Sequence, residues 1–240
     1  MTALRSLAAL AALLLACACA TPGTTGADPR DPWESLNRKT FAFNDAVDEA
    51  LVKPTAQGYV AVTPAFLRAR ISAFFDNLAD INTMLNDFLQ GKVPQGINDT
   101  GRIVVNTTFG VAGFWDVASG LGVERRDEDF GQTLAVWGVD SGPYFVIPFL
   151  GPSTARDAPA RAVDTSWYWP RVIHNDTAYW SLWTLDRIRY RASLLQAESV
   201  VEQAALDRYL FIRDAWLERR RSQVYDGKPP LEDEDEDKPK

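Results

Sequence analysis

The sequence contains little of the side-chain chemistry on which most enzymes depend. His174 is the only histidine, and the only two cysteines, Cys17 and Cys19, lie together near the N-terminus. A single histidine does not supply a histidine-based metal cluster, and it leaves no conventional way to assemble a Ser-His-Asp triad. The cysteine positions also exclude a disulfide framework in the rest of the chain. There is no Gly-x-Ser-x-Gly elbow and no Walker-type phosphate loop, so the sequence predicts neither an enzyme nor a metal or cofactor site.

Positive charge is scarce as well. The chain has 25 Lys and Arg residues against 32 Asp and Glu residues, which gives a formal net charge of −7. Nucleic-acid binding requires a basic surface that neutralises phosphates, so no nucleic-acid partner is expected. A membrane partner is not excluded, because an uncharged apolar face can dock without electrostatic attraction. A hydrophobic content of 46% over 240 residues is sufficient for one domain with a substantial core.

The N-terminus has the organisation of a secretory signal peptide. Arg5 is followed by an apolar run from Leu7 to Leu15, which is too short to remain as a membrane-spanning helix. The run ends in Leu14-Leu15-Ala16-Cys17, which resembles the lipobox cut by the lipoprotein signal peptidase. We therefore predict cleavage before Cys17 and acylation of Cys17, with Cys19 as the alternative. Neither cysteine is followed by the Asp that typically retains lipoproteins in the inner membrane, so the predicted location is the outer membrane.

Composition divides the chain into four parts. Residues 1–16 are the predicted signal peptide, and residues 17–30, rich in Thr, Gly and Pro, are predicted to be a flexible tether that carries the lipid. Residues 31–224 are predicted to form the folded domain. Residues 225–240 contain an unbroken acidic run and are predicted to be a solvated, disordered tail.

Helical signals dominate the predicted domain. Asp31-Pro32-Trp33-Glu34 predicts a helix start, and Lys53-Pro54 predicts the end of that helix. Thr63-Pro64 predicts the start of a second helix, which Gly91 closes. An apolar stripe with alternating steps of four and three residues runs along this second helix. We predict that the stripe packs in a helix-hairpin core rather than in a free-standing coiled coil. The stripe consists of Leu67, Ile71, Phe74, Leu78, Ile81, Leu85 and Phe88.

The segment from Ile103 to Val123 contains a single charged residue, Asp116. Its length of about 20 residues would suffice for a membrane-spanning helix, but glycines and polar residues interrupt it. Unpaired polar groups are costly in lipid, so burial in the protein and insertion at the membrane interface both fit better. Because they are polar groups in an apolar run, Asn106, Thr107, Thr108 and Asp116 are our candidates for lining a channel or an interface.

Two further stretches allow alternatives. Thr133 to Val139 and Tyr144 to Phe149 are compatible with two short strands around a turn. The first is equally compatible with a short helix, and Pro148 disfavours the second strand. Gly151 to Thr154 is predicted to be a loop or the start of a helix.

Aromatic residues are concentrated from Trp167 onward. Trp and Tyr favour membrane interfaces, where one end of the ring is apolar and the other wet, but an aromatic core fits equally well. A last helix ends in Arg219-Arg220-Arg221, where cations suit a helix C-terminus. The acidic residues Glu124 and Asp127 to Asp129 are predicted to lie in a solvated loop. The aromatic residues are Trp167, Tyr168, Trp169, Tyr179, Trp180, Trp183 and Tyr190.

Taken together, several stretches resemble the MlaA (VacJ) family of outer-membrane lipoproteins. They occur in the family's order across residues 31 to 221, and they are jointly specific although each is modest. The doubled cysteine departs from the family pattern and leaves the acylated residue open. The matching stretches begin with Asp31-Pro-Trp-Glu-Ser-Leu-Asn37-Arg38, Phe88-Leu-Gln-Gly91 and Asn106-Thr-Thr-Phe-Gly110-Val-Ala-Gly113-Phe-Trp-Asp116. They continue with Phe130-Gly131-Gln-Thr-Leu, Trp137-Gly138-Val, Gly142-Pro143-Tyr144, Gly151-Pro-Ser-Thr with Arg156-Asp157, and Tyr209 with Arg213-Asp214-Ala.

The resemblance implies a mainly α, single ring-like domain of amphipathic helices with little or no β structure, partly embedded in the periplasmic leaflet of the outer membrane. It implies an amphipathic channel that passes mislocalised phospholipids from the outer leaflet to a periplasmic lipid-carrier protein of the Mla system, which maintains lipid asymmetry. Family members also associate with a trimeric porin. The implied role is transport without catalysis, and no cofactor is implied beyond the covalent N-terminal lipid.

Two other functions fit parts of the sequence. One is a lipolytic enzyme with His174 as its base, which would release lysophospholipid and fatty acid. The other is a structural tether that holds a partner at the membrane through the last helix. A lipid channel fits the whole chain, whereas each alternative fits only one feature of it.

Overall fold

The computed structural model describes residues 28–167 and 175–230, which are mainly helical. The predicted fold class, mainly α with little β structure, is confirmed. The longer helices are α1 (Glu34–Val47), α2 (Lys53–Val62), α3 (Ala65–Leu89), α4 (Val93–Thr108), α7 (Asp157–Trp167), α8 (Asp176–Ala204) and α9 (Arg208–Val224). The shorter elements are α5 (Val117–Gly120), α6 (Phe130–Val136), β1 (Tyr144–Ile147) and β2 (Gly151–Thr154).

The first helical segment continues beyond its predicted end. A five-residue π-helix, Asp48–Val52, joins α1 directly to α2. Pro54 lies in the first turn of α2, where the missing N–H of proline costs little, and the π turn before it relaxes the usual hydrogen-bond pattern. The prediction that Lys53-Pro54 ends the helix is therefore wrong. Helical structure instead stops at Val62, because Thr63 adopts an extended conformation before Pro64.

Helices α3 and α4 form the predicted hairpin, but the apolar stripe on α3 does not form its core. Gly91, with a φ of +78°, provides the left-handed turn that ends α3. Leu67, Ile81 and Phe88 are exposed, and the remaining members of the stripe are only half-buried. The side chains that α3 buries lie on its other face and are mostly polar: Phe75, Asn77, Asp80, Thr83, Asn86 and Asp87. The periodicity predicted one apolar face correctly, but the prediction that this face packs inside the protein is wrong.

A two-stranded antiparallel hairpin is the β structure of the described residues. Tyr144 pairs with Thr154, and Ile147 pairs with Gly151. Residues 130–136 form helix α6, so of our two alternatives the helix is correct and the pairing of 133–139 as a strand is wrong. Gly151 to Thr154, predicted to be a loop or the start of a helix, forms the second strand, so that prediction is wrong. The side chain of Asn37 binds the free edge of β1, since its Nδ2 donates to the Tyr144 carbonyl (3.2 Å) and its Oδ1 accepts from the Val146 N–H (3.0 Å).

The two ends of the described chain are joined inside the protein. Asp31, just before α1, is fully buried and accepts hydrogen bonds from Tyr209 Oη (2.5 Å) and Arg213 Nη1 (3.3 Å) of α9. Tyr209 packs beside them with Tyr144 and Val146 in a small apolar cluster. The helices therefore follow a closed path in which the last returns to the first. No helix in the described ranges is both long enough and apolar enough to cross a membrane.

Candidate functional site

The distribution of polar and apolar side chains is the reverse of that in an ordinary soluble protein. Most of the buried side chains are carboxylates, amides, hydroxyls and arginines, whereas many large apolar side chains are exposed. Phe109, Phe149 and Leu121 are 75%, 73% and 68% exposed. Soluble proteins bury such residues and keep ionised groups in water. An extensive exposed apolar surface marks contact with a partner or a membrane.

A cavity of about 290 Å³ lies between α3, α4 and the start of α5. Its mouth and walls combine small apolar side chains with polar and charged ones. The volume would accommodate a lipid headgroup but not two acyl chains. The lining residues are Ala69, Ser72, Ala73, Asp76, Asn77, Arg102, Asn106 and Asp116.

Arg102 fixes one wall of this cavity and is itself only 1% exposed. Its Nη2 donates to both carboxylate oxygens of Asp116, at 3.2 Å each. Its Nε donates to Asp80 (3.3 Å), and its Nη1 donates to the Ser119 hydroxyl (3.1 Å) and to the Val123 carbonyl. Each guanidinium nitrogen already has an acceptor. Arg102 therefore positions Asp116 and offers no free charge to a ligand.

Asn106 holds the same carboxylate from a second side. Its Nδ2 donates to Asp116 Oδ1 (3.1 Å), while its Oδ1 accepts from the Ala118 N–H (2.9 Å). Burial opposes ionisation of Asp116, but hydrogen bonds from Ser119 and Asn106 and the charge of Arg102 outweigh it and lower the pKa of Asp116. Asp116 is thus an ionised, partly exposed carboxylate in the cavity wall.

The structure separates the four candidate residues that we named from the sequence. Asn106 and Asp116 lie together in the cavity wall. Thr107 and Thr108 are exposed on α4 and do not line the cavity. Thr107 Oγ1 accepts from Asn77 Nδ2 (3.2 Å), and the Thr108 hydroxyl donates to the backbone of its own helix. A role of any of the four in a channel stays a prediction.

Other predicted residues lie outside the described part of the chain. These are the lipidation candidates Cys17 and Cys19 and the possible base His174, together with most of the acidic tail. Within the described ranges, no group of three or more His, Cys, Asp or Glu residues is arranged to hold a metal ion.

Sequence reasoning missed Asp76, Asn77 and Arg102. A stripe that packs in the core implies that the polar face of the 65–89 helix meets solvent, and polar residues stand out from an apolar background only within Ile103 to Val123. A usable signal exists in the spacing of Arg102 and Asn106, which are four residues apart and therefore lie on one face of α4. Val104 lies on the opposite face of this helix. If the polar face is the buried one, a charged residue and an amide on it predict a polar wall of a cavity.

The segment from Ile103 to Val123 is buried in part, and insertion of its exposed side chains at the membrane interface stays a prediction. Its apolar residues Phe109, Val111 and Leu121 are exposed, whereas Asn106 and Ala118 are buried. The loop at 109–116 turns tightly, and Gly113 (φ +90°) lies so close to α3 that a Cβ there would be 2.6 Å from Asn77 Nδ2. The turn allows the polar atoms to point inward while the apolar ones face out.

Glu124 and Asp127 are exposed in an irregular segment, as predicted for a solvated loop, but the other two acidic residues of the cluster are not. Glu128 is buried and pairs with Lys92 Nζ (3.0 Å). Asp129 accepts from the Gln132 N–H (2.9 Å) as the N-cap of α6 and pairs with Arg220 (2.5 Å). The prediction is wrong for these two residues because it ignored cations distant in sequence. Arg220 accordingly acts as an internal ion-pair partner, beyond the helix-end role that we assigned to it.

The described aromatic residues of α8 lie at the surface. Trp180, Trp183 and Tyr190 are all exposed, which favours the interfacial alternative over an aromatic core for this part of the chain. Tyr179 and Trp180 pack edge to face with ring centroids 5.0 Å apart, so the aromatic side chains support one another.

A helical protein with a polar interior, an apolar exterior and a cavity lined by both polar and apolar groups has the organisation of proteins that act in contact with lipid. Comparison with known proteins agrees. The model of the MlaA lipoprotein family matches residues 29–223, and the chain belongs to this family.

Individual relatives are similar over most of their length. The intermembrane phospholipid transport system lipoprotein MlaA of Escherichia coli (strain K12) is 35% identical over 211 residues, which cover 84% of this chain and 81% of the relative. An uncharacterised protein of Rickettsia prowazekii (strain Madrid E) is 35% identical over 196 residues, covering 81% of this chain and 78% of the relative. A solved structure described as the structural basis for maintenance of bacterial outer membrane lipid asymmetry superposes with a TM-score of 0.71 at 29% identity. The superposition covers 82% of this chain and 99% of the solved chain.

Proposed function

We propose that this chain is an outer-membrane lipoprotein that removes mislocalised phospholipids from the outer leaflet and passes them through an amphipathic channel to a periplasmic carrier. The activity maintains outer-membrane lipid asymmetry. The observation that carries the proposal is the inverted distribution of side chains, with a polar interior inside an apolar exterior. Membership of the MlaA family supports it, since relatives are named for intermembrane phospholipid transport.

The physical argument joins the exterior to the cavity. Exposed apolar side chains stabilise a membrane-embedded position by about 25 cal/mol per Å² that they bury in the periplasmic leaflet. Lipid acyl chains meet that apolar exterior, while a polar headgroup requires hydrogen-bonding partners such as Asn106 and Asp116. A phospholipid has both requirements. No covalent step is needed, so the proposed activity is transport rather than catalysis.

The anchor and the partners complete the proposal. Cys17, or Cys19 as the alternative, carries the lipid that holds the chain in the outer membrane. The protein partners are a trimeric porin and the periplasmic lipid carrier of the Mla system. The sequence has no Walker-type nucleotide motif, so the direction of transport comes from these partners or from the lipid gradient.

The test is the amount of phospholipid in the outer leaflet of cells that lack this protein. A phospholipase applied to the cell surface, or an outer-leaflet acyltransferase, reports that amount. We expect surface phospholipid to rise in the deletion strain and to return to normal with the wild-type gene. Cys17→Ala should not restore it if Cys17 carries the lipid, whereas Cys19→Ala should.

Contrasting results separate the alternatives. Unchanged surface phospholipid in the deletion strain would remove the transport role. Restoration by the lipid-anchored last helix alone would instead indicate a tether, which needs no channel. Release of lysophospholipid by the purified protein, lost in His174→Ala, would indicate a lipolytic enzyme.

A further inference from the structure

Arg70 on α3 is an arginine without an acceptor. Its Nε is buried and makes no hydrogen bond, and the described residues place no carboxylate within ion-pair distance of its guanidinium. The nearby arginines differ, since Arg102 and Arg125 are both paired with Asp80. A partly desolvated cation with no counter-ion is unfavourable unless an anion reaches it. The position therefore calls for an anionic ligand.

Aromatic rings hold this guanidinium in place. Arg70 Cζ lies 5.2 Å from the centroid of the Trp115 ring and 5.9 Å from that of Phe66. Phe74, one turn further along α3, stacks on Phe114 with centroids 4.9 Å apart. These contacts fix α3 against the 109–116 loop and use no hydrogen-bond acceptor. The N–H donors of Arg70 remain to be satisfied.

The position of Arg70 joins the two surfaces that a phospholipid requires. On one side, Ala69 and Ala73 of the same helix line the cavity that contains Asn106 and Asp116. On the other side, the two rings that contact the guanidinium, Phe66 and Trp115, are themselves exposed, as are Val62, Leu67 and Val111 in the same two segments of the chain. Arg70 is thus a cation on the helix that lines the cavity, in contact with an exposed apolar surface.

We propose that Arg70, held by Phe66 and Trp115, binds the phosphodiester group of a phospholipid whose acyl chains lie on the neighbouring apolar surface. Arginine suits this ligand, because its planar fork of N–H donors matches two phosphate oxygens. Arg102, the cation in the cavity wall, is already paired with Asp80 and Asp116 and offers no free charge to a phosphate, which favours binding at Arg70. This inference rests on the proposed function and names the residue that meets the headgroup.

The test is binding of a short-chain phospholipid, dihexanoylphosphatidylglycerol, to the purified full-length protein in detergent by titration calorimetry. We expect Arg70→Gln to weaken binding about tenfold or more, because a hydrogen bond to a charged group is lost. Arg70→Lys, which keeps the charge but loses the fork, should give an intermediate affinity. Arg219→Gln, which removes an exposed arginine of α9, should bind like wild type.

Two further ligands identify what Arg70 recognises. Dihexanoylglycerol has the same chains without the phosphate, and we expect wild type and Arg70→Gln to bind it equally. Inorganic phosphate should not displace the phospholipid at equal concentration, because it lacks the apolar chains. Displacement at equal concentration would assign the site to free phosphate and overturn the lipid assignment.

The remaining outcomes are also decisive. Unchanged phospholipid affinity in Arg70→Gln would overturn this inference and leave the proposed transport function intact. Absence of phospholipid binding by wild type would overturn both. Thermal unfolding shows whether Arg70→Gln is folded. If Arg70→Gln is unfolded, the phospholipid affinity of Arg70→Lys is the deciding measurement. A lower affinity than wild type supports the inference, and an equal affinity refutes it.

Discussion

At the scale of single residues, the least conventional arrangement is a pair of buried carboxylates between α3 and α4. Asp87 and Asp99 are 0% and 1% exposed, and Arg126 Nη2 lies 3.2 Å from Asp99 but 3.9 Å from Asp87. Neither carboxyl oxygen of Asp87 receives a hydrogen bond that would stabilise the ionised form. Burial, together with a proton shared with Asp99 and the charge of Asp99, raises the pKa of Asp87 to about 8.

The raised pKa predicts a dependence of stability on pH. The unfolded chain loses the Asp87 proton near pH 3.9, whereas the folded protein retains it to about pH 8. The stabilisation is therefore complete below about pH 4 and is lost as the pH rises to 8, by an amount on the order of a few kcal/mol. Asp87→Asn keeps the neutral form, so it should reduce this loss and be more stable than wild type at pH 8. Chemical unfolding in detergent between pH 4 and 8 measures the free energy of unfolding of both proteins.

A control distinguishes this effect from a general loss of negative charge. Asp127→Asn removes an exposed carboxylate and should leave the pH dependence as in wild type. Glu128 and Arg126 also face Asp87, so part of the slope should persist in Asp87→Asn. A slope identical to that of wild type in Asp87→Asn would show that Asp87 is already ionised at neutral pH.

At the scale of secondary-structure elements, Arg220 fastens α9 to two other helices. Its Nη1 and Nη2 contact Asp129, the N-cap of α6, and its Nε contacts Asp157 at the start of α7 (2.9 Å). Burial opposes the ionisation of both carboxylates, but Arg220 outweighs it and lowers the pKa of Asp129 and of Asp157. One side chain thus joins elements that are distant in sequence.

Removing the Arg220 side chain should weaken the attachment of α9 to α6 and α7. Arg220→Ala leaves Asp129 without its cation and Asp157 with Arg156 alone. We expect a loss of about 3–5 kcal/mol in the free energy of unfolding. Arg219→Ala, the exposed neighbour, should cost less than about 0.5 kcal/mol. Urea unfolding in detergent compares the two variants. If the two variants have the same free energy of unfolding, the ion pairs of Arg220 contribute no net stability, because their attraction only offsets the cost of desolvating the charges.

The same elements show what the sequence could predict and where prediction stopped. Local signals placed the start of α3 after Thr63-Pro64 and its end at Gly91, because caps and left-handed turns depend on neighbouring residues. The pairing of Asp129 with Arg220 depends on residues 91 positions apart, which no local pattern reports. Periodicity identified the apolar face of α3, but it does not state whether water, protein or lipid meets that face.

At the scale of the whole molecule, the polar interior and the apolar exterior depend on each other. Few apolar side chains are buried in the interior, so ion pairs and hydrogen bonds such as those of Arg102 and Arg220 hold most of the helices together. The apolar side chains are then free to face outward. A bilayer is the solvent in which this arrangement costs least, because lipid replaces the missing apolar neighbours.

This dependence predicts that the domain binds membranes without its lipid anchor. In a chain with Cys17→Ala and Cys19→Ala, we expect co-flotation with phospholipid vesicles. Adding Phe109→Asp should weaken that binding about tenfold or more, because burying a phenylalanine side chain contributes roughly 1.5–3 kcal/mol. Ser35→Asp adds the same charge at an exposed polar position of α1 and should leave binding nearly unchanged. If Phe109→Asp floats like its parent, the 109–116 loop does not enter the bilayer, and other exposed apolar residues must carry the contact.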